Sequence, residues 1–177
     1  MFLKEKKKAD GSFDKWKARL VVGKKTHLSE TPEQDKSSKT VQPSVIFSLL
    51  QLAAHFHLHV STLDVKNAFL NTKVEEGKDI FVYLDGINLS QLIKVFPYIK
   101  TFIGDHFKLY IRLNKYLYGH DESAKKFQDM LTAIFLEMGL TQSLADPCLF
   151  LSNKTSRDKY WVATHVDDLL VVGLSIP

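Results

Sequence analysis

Apolar and polar positions along this chain repeat with a period of two in some stretches and about 3.6 in others, and each change of period marks a predicted element. Residues 16–23 form a short β-prone run after the turn-like Asp10-Gly11-Ser12, with Lys17 and Arg19 on one side of the alternation. Residues 24–42 are mostly polar, contain Pro32 and Ser37-Ser38, and read as a loop. Pro43 suits the first turn of a helix. Val45, Leu49, Leu52, Ala53 and Phe56 then recur at helical spacing to about residue 58, which predicts a core helix. The β-branched and apolar run 60–65 predicts a buried strand with Asp64 at its C-terminal end.

Residues 67–71 read as a turn carrying Phe69, and 79–84 as a strand. Residues 87–103 have helical periodicity broken by Pro97, and 107–113 alternate as a strand does. The clearest amphipathic helix is 123–138, with Phe127, Met130, Leu131, Ile134, Phe135 and Met138 on one face and Gly139 as its stop. Residues 148–151, 160–166 and 169–172 are predicted strands, the last two joined by so short a link that only a tight β-turn fits. The class this implies is α+β, an antiparallel sheet with helices on one face.

A chain of 177 residues suits one domain, and 45% hydrophobic with 25% charged residues marks it as globular rather than disordered. The net charge of +4 is unevenly placed: residues 1–25 hold nine Lys/Arg against three Asp/Glu, and the rest hold fifteen against seventeen. Residues 1–15 are therefore expected to be a basic N-terminal tail, either solvated or in contact with phosphate. Cys148 is the only cysteine, which excludes an intrachain disulfide and a Cys-based zinc site. The N-terminus lacks the apolar core of a signal peptide, and the most apolar window, 45–54, is too short to span a bilayer. An intracellular protein, cytoplasmic or nuclear and neither secreted nor in a membrane, is expected.

Candidate chemistry lies in Thr164-His165-Val166-Asp167-Asp168-Leu169-Leu170 and Leu63-Asp64-Val65-Lys66-Asn67-Ala68-Phe69. Carboxylates inside apolar strand patterns are costly to desolvate unless a hard cation or hydrogen bonds compensate them. Nucleotidyl transfer by two metal ions needs such carboxylates on rigid elements. Asp64 at a strand end and Asp167 at a hairpin tip meet that need if their strands adjoin. Asp168 is expected to face the other way, since alternate side chains do. An Asp-Asp pair on a turn is, by itself, usually only solvated. His55, His57 and His59 lie about 200° apart on a helix and read as packed or solvated rather than metal-binding. Cys148 reads as buried. With no glycine-rich phosphate loop and no Gly-x-Ser-x-Gly elbow, neither a kinase nor a hydrolase is supported.

The order Lys17-Ala18-Arg19-Leu20-Val21, the Asp64 segment through Asn71, Leu117-Tyr118-Gly119, Ala145-Asp146-Pro147-Cys148-Leu149-Phe150 and Val166-Asp167-Asp168-Leu169-Leu170 resembles the reverse transcriptase of copia-type LTR retrotransposons, from about Lys17 to Gly173. The resemblance implies a right-hand polymerase fold over 16–177, with palm, partial fingers and no thumb. It implies RNA-directed DNA synthesis, with RNA or DNA template-primer and deoxynucleoside triphosphates as partners. The remainder of a polyprotein, integrase and ribonuclease H, belongs to the intact element. Asp64, the Val65 backbone carbonyl and Asp167 would hold two Mg²⁺, or Mn²⁺, with Asp168 assisting. Phe69 would crowd a ribose 2′-hydroxyl, the alternative being an ordinary core phenylalanine. Lys17 or Arg19 would hold the triphosphate, and Gly119 would lie in the nucleotide pocket.

The chain also departs from the family. His120-Asp121-Glu122-Ser123-Ala124 stands where Leu-Lys-Gln-Ser-Pro is usual, and Phe127 where a tryptophan is usual. The two anions, Asp121 and Glu122, are expected to weaken nucleotide binding. The chain ends at Pro177, soon after the second catalytic motif, so a truncated or degraded copy is expected. The rival readings are a catalytically inactive nucleic-acid-binding remnant that uses the basic N-terminal segment, and an interaction domain without a nucleic-acid role.

Overall fold

Tyr160–His165 and Asp168–Gly173 carry apolar side chains at odd and even positions alike, and this decides the layout of half the molecule. The structure, a computed structural model, describes residues 2–23, 37–153 and 159–174. Most of the loop expected at 24–42, Pro32 included, lies outside the described residues.

The chain begins with strands β1 (Phe2–Lys7) and β2 (Phe13–Arg19), helix α1 (Pro43–Phe56) and strands β3 (His59–Asp64) and β4 (Phe81–Leu84). Helix α2 (Gly86–Val95), strands β5 (Ile103–Gly104) and β6 (Lys108–Arg112) and helix α3 (Ser123–Glu137) follow. Strands β7 (Leu140–Gln142), β8 (Leu149–Ser152), β9 (Tyr160–His165) and β10 (Asp168–Gly173) end it. Among the described residues no helix is long and apolar enough to cross a membrane. The chain divides into two compact units, Met1–Gln34 with Lys73–Ser123, and Asp35–Thr72 with Ala124–Pro177.

The second unit is built on a five-stranded antiparallel sheet in the order β3-β10-β9-β8-β7. On one face Leu169 and Val171 of β10 join Tyr160, Val162 and Phe150 against Leu131 and Phe135 of α3. The rings of Phe135 and Phe150 meet edge to face at 4.9 Å. On the other face Leu170 and Val172 join Ala163 and Cys148 against Leu49 and Ala53 of α1. The expectation of helices on one face is thereby corrected. Successive strand side chains point to opposite faces, and where both sets are apolar both faces must be covered.

Strand β3 corrects a second expectation. It lies at the sheet edge with five of its six residues exposed, Val60 and Leu63 among them. An apolar, β-branched run records the capacity to form a strand, and its depth depends on its neighbours. Helix α1 starts at Pro43, as expected, and stops where His57 turns left-handed (φ 54°) and its N–H donates to the Ala53 carbonyl. Leu52 and Phe56, expected in the core, are exposed.

In the first unit the expected basic tail instead contributes β1, which pairs antiparallel with β2. The connection is a tight turn: Gly11 takes a φ of +85°, and the Asp10 carboxylate accepts hydrogen bonds from the Ser12 N–H and Oγ. Those bonds hold the Asp10 carboxyl below the usual carboxylate range. A second sheet, β4-β6-β5, packs Ile80, Val82, Leu113 and Tyr116 into a core with Val22. The break expected at Pro97 is present, since α2 stops at Val95 and a new helical turn begins at Pro97.

Candidate metal and nucleotide site

The β9–β10 hairpin turns on two residues, Val166 and Asp167, because Asp168 already pairs with His165. Val166 has a φ of +58° while Asp167 is not left-handed, the pattern of a turn whose first central position usually goes to glycine. A β-branched residue there is strained, so the surrounding pairing must impose the conformation. That pairing continues on the other side of β10. Asp168 lies directly opposite Asp64 on β3, and the Val65 N–H donates to the Asp167 carbonyl at 2.9 Å.

Residues directly opposite in an antiparallel ladder share a face, with Cβ atoms about 4.5–5.5 Å apart. His165, Asp168 and Asp64 therefore form a row across three strands, on the parity of Leu170 and Val172. The sequence reading had Asp168 facing away from Asp64 and gave the shared position to Asp167. The register makes Asp168 the cross-strand neighbour and puts Asp167 in the turn. A shift of one residue in the turn reverses the face, and tertiary pairing decides it. His165 received no role from the sequence, although its position beside the hairpin aspartates was visible there.

Asp64 and Asp168 are exposed and Asp167 is half-buried. Desolvation, the premise of the sequence argument, is thus not the main cost at this end of the sheet. The cost is like charge, because two carboxylates face each other and their side chains make no hydrogen bond or ion pair among the described residues. Such an all-oxygen pair, open to water, fits a hard divalent cation, which takes one or two protein carboxylates and fills its remaining positions with water or phosphate. Among the described residues no three His, Cys, Asp or Glu side chains form a ready-made metal cluster, and His55, His57 and His59 accordingly form none.

Phe69, on the turn after β3, is buried and packs edge to face on Phe127 at 6.0 Å. Asp146 is buried in the same unit, where its carboxylate accepts from the N–H groups of Gln42 and Cys148, both at 2.8 Å. This ties the start of α1 to the start of β8. Burial pushes the Cys148 thiol up, with hydrogen bonds from Thr164 and Gln128 opposing.

Lys17, Arg19 and Gly119 belong to the first unit. Lys17 is half-buried on β2, and the Arg19 guanidinium lies 5.6 Å from the centre of the Tyr118 ring. The Val22 N–H donates to the Tyr118 carbonyl at 2.7 Å. Gly119 has a φ of +88°, and a Cβ there would come within 2.3 Å of the Val22 carbonyl oxygen, so this position demands glycine for packing alone. Of the two anions expected to oppose a nucleotide, Asp121 is exposed and Glu122 is buried. Glu122 pairs with Lys78 and, at 3.4 Å, accepts from Tyr116 Oη, which also donates to Glu75 at 2.7 Å. Burial, and next the bond to Glu75, push the Tyr116 hydroxyl above its ordinary value.

The acidic pair thus lies at the exposed end of an antiparallel sheet in a mixed α/β chain. The chain belongs to the reverse transcriptase (RNA-dependent DNA polymerase) family, which matches residues 1–177. It is 26% identical over 170 residues to the retrovirus-related Pol polyprotein from transposon TNT 1-94 of Nicotiana tabacum, covering 96% of this chain and 12% of that protein. The corresponding polyproteins from transposons RE2 and RE1 of Arabidopsis thaliana are each 26% identical, over 166 and 170 residues. Those matches cover 93% and 96% of this chain and 10% of each relative. The chain thus spans about a tenth of the length of these relatives. No solved structure matches it. The copia-type assignment made from the motifs is borne out.

Proposed function

We propose that this chain is the fingers and palm portion of an RNA-directed DNA polymerase, which extends a primer 3′-hydroxyl by attack on the α-phosphate of a deoxynucleoside triphosphate with pyrophosphate leaving. The second unit corresponds to palm and the first to fingers. The observation that carries the reading is the pairing of β3 with β10, which sets Asp64 beside Asp168 and next to the Asp167 turn at one exposed sheet end.

Asp64 and Asp167, with the Val65 carbonyl, would hold two divalent ions, and Asp168, across from Asp64, joins them as an equal contributor of negative charge. Mg²⁺ or Mn²⁺ bound there would neutralise charge on the phosphates during transfer. Strand pairing sets the backbone positions of these aspartates, which would limit the reorganisation needed when substrate arrives. Lys17 or Arg19 would bind triphosphate oxygens, a task suited to cations on a short hairpin. The packing of Phe69 against Phe127 supports a fixed ring that could exclude a 2′-hydroxyl.

Primer extension on an RNA template, with Mg²⁺ and with Mn²⁺, tests the reading, alongside Mn²⁺ binding by the same chain. Asp64→Asn, Asp167→Asn and Asp168→Asn are each expected to lower extension by about a hundredfold or more, the scale for removing one fixed electrostatic group from a transition state. Extension that survives all three substitutions overturns the proposal. A parent chain showing neither extension nor Asp64-dependent Mn²⁺ binding overturns it equally.

A further inference from the structure

The Lys78 N–H donates to the Glu75 carbonyl at 3.2 Å and Gly77 takes a φ of +79°, so residues 75–78 form a turn that presents a carboxylate and an ammonium on one short stretch. Both groups engage the same segment, residues 116–122. The Lys78 ammonium pairs with the Glu122 carboxylate, while Tyr116 Oη donates to Glu75 at 2.7 Å and to Glu122 at 3.4 Å. Tyr116 is fully buried, and the side chains of Lys78 and Glu122 are 26% and 11% exposed. An ion pair so far out of water is hard to part, because removing either member leaves the other charge unpaired at a buried site.

The same segment holds the end of β2. The Tyr118 carbonyl accepts from the Val22 N–H at 2.7 Å, and a Cβ at Gly119 would come within 2.6 Å of both the Val22 carbonyl oxygen and the Val21 side chain. The Arg19 guanidinium lies 5.6 Å from the centre of the Tyr118 ring, and Arg19 and Lys17 line one open concavity. Within the segment the Leu117 carbonyl accepts from Ser123 Oγ at 2.6 Å and from the His120 N–H at 3.3 Å, and the Glu122 N–H donates to His120 Nδ1 at 3.3 Å. A network bonded at so many points moves as a unit, so a displacement at Glu122 reaches Tyr118 and, through its ring and carbonyl, Arg19 and Val22.

As a bare charge Glu122 opposes a nucleotide, and its replacement by glutamine should tighten binding. Its partners reverse that sign. We infer that the Lys78–Glu122 pair is a positioning device for Arg19, holding the 117–123 turn so that the guanidinium stays stacked on Tyr118, and that loss of the pair weakens triphosphate binding. The inference rests on the reading of Arg19 as a triphosphate ligand.

The test uses the whole chain in EDTA, with inorganic tripolyphosphate titrated calorimetrically and the ring-current shift of the Arg19 side-chain resonances as a direct report on its stacking. Arg19→Gln should lower tripolyphosphate affinity about tenfold or more, the scale of hydrogen bonds to a charged group. Glu122→Gln and Lys78→Gln should each lower it about three- to tenfold and move the Arg19 shift toward that of Tyr118→Leu. Lys78→Arg, which keeps the pair, should match the parent in both readouts. Lys78→Gln cuts the pair at its more exposed end, where folding is least at risk, and circular dichroism checks the fold of each variant. A role in stability alone would lower the unfolding midpoint of both glutamine variants and leave shift and affinity at parent values, and that result overturns the inference, as does tighter binding by Glu122→Gln. Equal affinity of the parent and Arg19→Gln overturns the reading of Arg19 itself, and the inference with it.

Discussion

Two antiparallel ladders in this molecule set like charges face to face, and they do so on opposite kinds of support. On β1–β2 lysines oppose lysines in a two-stranded ribbon whose described side chains are nearly all exposed. On β3–β10 Asp64 opposes Asp168 at the end of a five-stranded sheet covered by a helix on each face. An isolated two-stranded ribbon is marginal in water, whereas a sheet with two packed faces holds its strands in fixed register. Positive charge is thus carried on a ribbon with little packing behind it. Negative charge is carried where packing on both sheet faces holds the register.

If that contrast is right, damage to the sheet core should cost most. Phe150→Ala removes a fully buried ring that stacks on Phe135, and about 3–5 kcal/mol of stability should go with it in a denaturant titration. Mn²⁺ binding should weaken in step, and unchanged binding at that loss would mean the carboxylate pair does not need its support.

In the first unit Gly119→Ala should destabilise by about 1–3 kcal/mol, from the close approach to the Val22 carbonyl and the positive φ. A lowered unfolding midpoint is the measurement that checks it.

Cys148 reports on the sheet core through pH. Its folded thiol is raised by burial, so the stabilising contribution is full below the ordinary thiol range and is lost as pH climbs through the raised folded value. Iodoacetamide at mildly alkaline pH should accordingly alkylate the unfolded chain well before the native one, and equal rates would contradict a closed core.

The smallest effect is expected on the ribbon. Lys6→Glu replaces a like-charge pair with an opposite-charge pair across from Lys15 and should stabilise by a few tenths of a kcal/mol, up to about 1. Loss of stability there would show that the lysine face is not strained by its own charge.

Much of this was legible before any coordinates. The helix from Pro43, its end near residue 57, the break at Pro97 and the stop at Gly139 rest on local rules about proline, glycine and periodicity. The motif order was enough to identify the family, because each motif is a short run of residues whose types are visible in the chain itself. Glu122 was legible only as a charge. That it is occupied with Lys78 and Tyr116 depends on residues 44 and 6 positions away.

Sequence alone determined the main helices and the strands that carry the acidic motifs, since these depend on neighbours within a few residues, but it missed β1, β5 and β7. Tertiary structure decided that β3 is an edge, that helices cover both sheet faces and that Asp168 rather than Asp167 stands opposite Asp64. It also decided that the lysines of residues 4, 6, 15 and 17 share one face. Each of these turns on which strand pairs with which and in what register, a choice made by long-range burial of apolar surface that no local pattern encodes.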